Sequence, residues 1–85
     1  MKYQVDWNDD AAADLAQLWI DATDRGLISE AAHRLDLALA ESPLALGESR
    51  LGHIRIAFSA PLGIEFEVDE SNHTVLVIAV WSFHS

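Results

Sequence analysis

The sequence predicts a small two-layer α+β domain, a helical hairpin packed on an antiparallel sheet in the order β-α-α-β-β-β. Three observations point to it. The opening "KYQVDW" alternates polar and apolar side chains with a period of two. Two segments with apolar residues every three or four positions follow, separated by a short break. After Gly52 the period returns to two, in three stretches divided by turn-forming residues.

In the first stretch Tyr3, Val5 and Trp7 share one face, with Lys2, Gln4 and Asp6 on the other, the pattern of a half-buried strand. It stops at "NDD", where Asn8 can cap a helix and Asp9 and Asp10 meet the positive end of its dipole. Ala11, Leu15, Leu18, Trp19 and Ala22 form the stripe of that helix, opposite Asp14, Gln17, Asp21 and Asp24. Gly26, free to adopt a positive φ, is the expected terminator. Ser29 is the expected cap of a second helix, whose stripe is Ile28, Ala32, Leu35 and Leu39, widened by Ala31 and Ala38. Pro43 ends it by excluding helix at the preceding residue. A gap of about three residues makes the pair an antiparallel hairpin.

Beyond Gly52, Ile54, Ile56 and Phe58 alternate with His53, Arg55, Ala57 and Ser59. "SAPLG" turns the chain, and Ile64, Phe66 and Val68 resume the apolar face against Glu65, Glu67 and Asp69. "DESN" turns it again into "HTVLVIAVWSF", apolar on both faces and so a central or doubly covered strand. Centring the first of these turns on Pro61 makes the apolar faces coincide. It pairs Phe58 with Ile64, Ile56 with Phe66 and Ile54 with Val68. Arg55 then lies across from Glu67, and His53 across from Asp69.

The 85 residues make one domain, 1–85, able to bury only roughly 60–65% of its unfolded surface. With 51% hydrophobic and 22% charged residues, disorder is excluded. The absence of cysteine removes disulfides and thiolate metal sites. The N-terminus has no apolar signal-peptide core, and "VLVIAVW" is too short to span a bilayer, so a soluble cytoplasmic protein without a membrane partner is expected. No two histidines have metal spacing with carboxylates on the same face, and glycine-rich phosphate loops and nucleophile elbows are missing. No metal or cofactor is expected.

Fourteen carboxylates against five cations give a net charge of −9, which opposes encounter with nucleic acid or anionic membrane. Yet Arg50 and Arg55 stand close together in "ESRLGHIRIAF". Either they handle an anion or they neutralise carboxylates. An Arg55–Glu67 cross-strand pair contributes about 0.2–1 kcal/mol; Arg50, in the loop before the strand, has only Glu48 nearby.

Taken in order, the leading strand, "W-x-x-x-A-x-x-D-L-x-x-L-W", "A-A-x-x-L-D-x-x-L", "S-P-x-x-x-G-E-S-R" and the closing strands with "P-L-G-I-x-F-x-V-D" resemble the RelE/ParE superfamily of bacterial toxins. These are the plasmid-stabilisation proteins of type II toxin–antitoxin modules, and the resemblance spans essentially the whole chain. It implies one of two activities. One branch cleaves mRNA on the ribosome through attack of a ribose 2′-hydroxyl on the adjacent phosphate, which needs a base, an acid and cations but no metal. The other inhibits DNA gyrase by binding. Both are silenced by an antitoxin whose C-terminal segment wraps the toxin.

Some ribonuclease relatives use a glutamate before the second strand, an arginine near the start of the third and a histidine near the C-terminus. Glu48 and His84 stand in the first and last of these places. The arginine place, near "PLG", is vacant, and the third strand offers Glu65, Glu67 and Asp69 instead. A metal-independent endoribonuclease on this chain would rely on Glu48 as base, Arg50 and Arg55 as phosphate contacts and His84 as acid. The expected function is that of a toxin-like component that inhibits a macromolecular target and is neutralised by an antitoxin. The alternative is a catalytically inactive interaction module of the same fold that keeps only partner binding. Two helices cover one side of the sheet, leaving the other to an antitoxin helix, a second copy of the chain or the folded-over N-terminal strand.

Overall fold

The computed structural model of the chain describes residues 2–49 and 52–83. Its elements are β1 (Gln4–Trp7), α1 (Asp9–Asp21), α2 (Arg25–Glu41), β2 (Glu48–Ser49), β3 (Ile54–Ser59), β4 (Leu62–Asp69) and β5 (Thr74–Ser82). This is the expected β-α-α-β-β-β order with one addition, the two-residue strand β2.

Asn8 caps α1, its side-chain oxygen accepting from the Ala11 amide at 2.7 Å, with Asp9 and Asp10 in the first turn. The end of α1 departs from expectation. It stops at Asp21, and Gly26 plays no part in it. Arg25 closes it instead: Nε donates to the Trp19 carbonyl and Nη2 to that of Ile20, each at 3.2 Å, while the guanidinium lies 4.7 Å from the Trp19 ring centre. A cation on the last carbonyls also complements the negative end of the helix dipole.

Asp24, and not Ser29, caps α2, accepting from the Leu27 amide at 3.3 Å. Aspartate is as good a cap as serine, and starting one turn earlier places Ile28 inside the helix on its buried face. Ser29 becomes a helical residue whose hydroxyl accepts from Trp19 Nε1 at 3.1 Å. The connection keeps its three residues, 22–24. α2 ends at Glu41, two residues before Pro43.

The sheet runs β1-β5-β4-β3-β2. Four strands are antiparallel, but β1 pairs in parallel with β5, from Gln4 opposite Thr74 to Trp7 opposite Val77. The sheet is therefore mixed, where the sequence suggested a wholly antiparallel one. Alternation reveals that a segment is a strand but says nothing of its neighbour's direction. β5 is an interior strand, between β1 and β4, where the sequence suggested a central or doubly covered one, and helices cover only one of its faces. On that face Ala11, Ile28, Ala31, Leu35 and Leu39 pack against Leu62, Ile64, Phe66, Val75, Val77 and Val80. A bulge at Glu65/Phe66 keeps both Val77 and Val80 on the core side.

The register of the β3–β4 hairpin is displaced by one residue from the expected pairing. Ser59 pairs with Leu62, so two residues make the connection, Ala57 faces Ile64 and Ile56 faces Glu65. A slip of one moves every side chain to the other face. Ala57 is thus the residue sealed in the core, at 1% exposure, while Phe58 is 59% exposed. Arg55 lies opposite Phe66, not Glu67.

Candidate functional site: the helix-free face of the sheet

Strand alternation, applied to the observed register, sorts the face away from the helices into three cross-strand rows. One is Phe58, Gly63 and Trp81; the next is Glu48, Ile56, Glu65 and Ala79; the third is Ile54, Glu67 and Leu76. A groove of about 640 Å³ opens there, lined by Leu46, Gly47, Glu48, Ile56, Phe58 and Trp81.

Gly63 makes the aromatic end of this face. A Cβ at that position would lie 2.6 Å from Trp81 Cε2, so the indole rests directly on the glycine backbone. Phe58 meets the Trp81 ring edge-on at 6.2 Å between centroids and the Phe83 ring likewise at 5.6 Å, the arrangement that aromatic quadrupoles favour. The alternation in the sequence places Phe58 on the core side of its strand, which hides this cluster. The available signal was the shortest loop that "SAPLG" permits, two residues.

Of the four residues expected to carry catalysis, Arg50 and His84 lie outside the described residues. Glu48 is exposed on β2, on the same face as its partner Ile56. Arg55, one residue along β3, points to the opposite face with Ala57 by strand alternation. It does not neutralise Glu67. Its Nε donates to the Leu46 carbonyl and its Nη2 to that of Gly47, each at 3.3 Å. Arg55 therefore fastens the loop leading into β2, and Glu48 and Arg55 do not converge on one surface. Glu67 is matched by His53, with Nε2 to Oε2 at 3.7 Å, a pair that carries charge only when the imidazole is protonated.

The other described cations are also engaged. Lys2 pairs with Glu41 at 3.5 Å. Arg34 reaches Glu30 at 3.9 Å, donates to Ser59 Oγ at 3.0 Å and to the Ala60 carbonyl at 3.3 Å. Arg25 is spent on the end of α1. Among the described residues no cation is left without an intramolecular contact, and no three of His, Asp and Glu gather into a metal-binding group.

Asp69 closes the β4–β5 turn. Asn72 donates to it twice, from its side chain at 2.8 Å and its backbone amide at 3.2 Å, which holds the carboxyl below the usual aspartate value of 3.8. A second concavity, about 670 Å³, lies between the helices and is lined mainly by Leu15, Trp19, Ile20, Ile28 and Ala32, with Asp36 at its edge accepting from Trp7 Nε1 at 2.8 Å. No helix among the described residues is long and apolar enough to cross a membrane.

No family model matches the chain, and no curated protein matches its sequence. Solved structures do match its shape. A chain of the RelBE2 toxin–antitoxin complex from Mycobacterium tuberculosis aligns with 96% of this chain and 99% of its own length, with a TM-score of 0.79 at 19% identity. The isolated RelE toxin of E. coli aligns with 98% of this chain and 86% of its own, with a TM-score of 0.68 at 17% identity. The conserved hypothetical protein HP0892 of Helicobacter pylori covers 94% of this chain, at a TM-score of 0.59 and 13% identity, over 93% of its own. The chain shares the fold of these RelE-type structures.

Proposed function

We propose that the chain is the toxin-like component of a type II toxin–antitoxin system, acting in the cytoplasm by binding a macromolecular target and held in check by an antitoxin. The observation that carries this reading is the near end-to-end match with a chain of the RelBE2 toxin–antitoxin complex. Fold alone does not decide between activities, so the choice of binding over RNA cleavage rests on the site.

Three features favour binding. Cleavage needs a cation at the developing phosphorane, and the described cations are all occupied elsewhere. Glu48 and Arg55 stand on opposite faces of the sheet. The face that carries Glu48 also carries Glu65 and Glu67, which repel a phosphate backbone. A ribonuclease would have to use Glu48 as base with Arg50 as the phosphate contact and His84 as acid, Arg55 joining only by releasing the Leu46 and Gly47 carbonyls. The same occupied cations also favour the second reading, an inactive module of this fold that retains only its antitoxin surface.

Induction of the protein alone in a bacterial host, with pulse-labelling of protein and DNA synthesis, separates these readings. Growth arrest with DNA synthesis failing first is the expected result and fits a gyrase-type target. Rapid loss of translation, abolished by Arg50→Ala or His84→Ala, would replace binding by mRNA cleavage. Unaffected growth with soluble, folded protein would leave the inactive module.

A further inference from the structure

The helix-free face has a definite chemistry, and it is not that of a nucleic-acid surface. β3 contributes a stripe of Ile54, Ile56 and Phe58, ending at the aromatic cluster with Trp81 and Phe83. Carboxylates border the stripe on both sides: Glu48 from β2, Glu65 and Glu67 from β4. In the middle row Glu48 and Glu65 flank Ile56, each one strand away, so their backbones stand roughly 10 Å apart. Among the described residues near this face only His53 pairs with one of these carboxylates, Glu67, and it carries charge only when protonated. A cationic side chain lying over Ile56 would reach a carboxylate on either hand. An apolar side chain two residues along β3 would enter the groove between Phe58 and Trp81.

We infer that this face docks a segment of a protein partner in which arginine or lysine is interleaved with large apolar side chains. The cation is held between Glu48 and Glu65 and the apolar anchor on Phe58 and Trp81. Apolar contact supplies the burial, and the flanking carboxylates select a basic partner over RNA or an acidic peptide. The guanidinium or ammonium stem covers Ile56, so both ends of such a side chain find a matching surface. This rests on the reading that the chain works by binding, and it names the chemistry of what is bound.

The probe is a short synthetic peptide with alternating arginine and leucine, titrated calorimetrically into the full chain. Its glutamate-for-arginine counterpart and a single-stranded RNA oligonucleotide run alongside. Glu48→Lys with Glu65→Lys is expected to weaken the cationic peptide about tenfold or more, corresponding to about 1.4 kcal/mol. Phe58→Ser, at an exposed position, is expected to weaken it comparably with an unchanged circular dichroism spectrum. Asp14→Lys with Asp21→Lys makes the same change in net charge on α1, which lies on the other side of the sheet, and should leave binding nearly intact.

Equal loss in both charge-reversed variants would mean that bulk charge alone attracts the peptide, and would overturn the inference. RNA binding that Phe58→Ser abolishes would overturn it too, as would a concentration-dependent dimer that the same substitution dissolves. Growth arrest without peptide binding would sink this inference and leave the toxin reading standing. Face-specific peptide binding without arrest would do the opposite.

Discussion

Replacing Gly47 by alanine tests how the loop before β2 is held. Gly47 has φ of 69°, in the left-handed region, and a Cβ there would sit 1.8 Å from the Ile56 carbonyl oxygen. Real Cβ atoms stay beyond 3.0 Å, so the loop must retreat by more than about 1 Å from a backbone atom that has no rotamer to change. The left-handed conformation costs alanine about 1–2 kcal/mol. Retreat also stretches the two 3.3 Å bonds from Arg55 to the Leu46 and Gly47 carbonyls, about 0.5–1 kcal/mol each. The expected destabilisation is about 2–4 kcal/mol, out of about 4–13 kcal/mol for a domain this size. Gly52 supplies the control. Its φ is 56°, but among the described residues nothing lies within 4 Å of the added atom, so Gly52→Ala should cost only the backbone share. Urea denaturation at constant m measures both. Equal losses in the two variants would refute the close approach as the reason for glycine at position 47.

Phe66→Ala should cost about 3–5 kcal/mol by opening a cavity in the core, whereas Phe58→Ala should cost about 1 kcal/mol or less; the reverse ranking in chemical denaturation would restore the register expected from the sequence. Asn8→Ala should lower stability by about 1 kcal/mol, read as a shift in thermal midpoint, through loss of the cap on the Ala11 amide. Asp69 titrates below 3.8 in the folded state because Asn72 bonds favour its charged form, so its contribution is fully present above 3.8 and fades as pH falls through the folded value. The stability gap between the natural chain and Asp69→Asn should therefore close on acidification; a gap that widens there would contradict the assigned hydrogen bonds.

Much of the fold was legible because single residues announced it. Asn8 followed by two aspartates, Pro43 and the two changes of period each have one physical meaning, and the structure honours all of them. The errors arose where two residues competed for one role. Asp24 and Ser29 are both good caps, Gly26 and Arg25 can both serve the end of a helix, and burial of Ile28 decided between them. The hairpin register was ambiguous for a similar reason. Ile54, Ile56 and Phe58 look like the core side of β3, yet the smaller Ala57 fits beneath the helices and a two-residue loop demands it. That one slip also hid the candidate site, since it turned Phe58 outward and carried Arg55 away from Glu67. Arg55's true partners are carbonyls in a loop eight and nine residues earlier, and no pattern of side chains reveals such a bond.

The parallel pairing of β1 with β5 ties together residues about seventy positions apart, as the contact of Asn8 with the Ile78 carbonyl does. Such a junction closes a loop of about seventy residues, and contacts of that sequence separation are slow to form. Until then "VLVIAV" is an unpaired apolar edge, a template for strands of neighbouring molecules. Four residues, Gln4 to Trp7, convert that edge into an interior strand. During synthesis, however, they leave the ribosome well before β5 and must wait for it. Changes that weaken β1, such as a proline at Val5, should therefore appear first as aggregation during expression, before any loss of stability in the protein that reaches its native state.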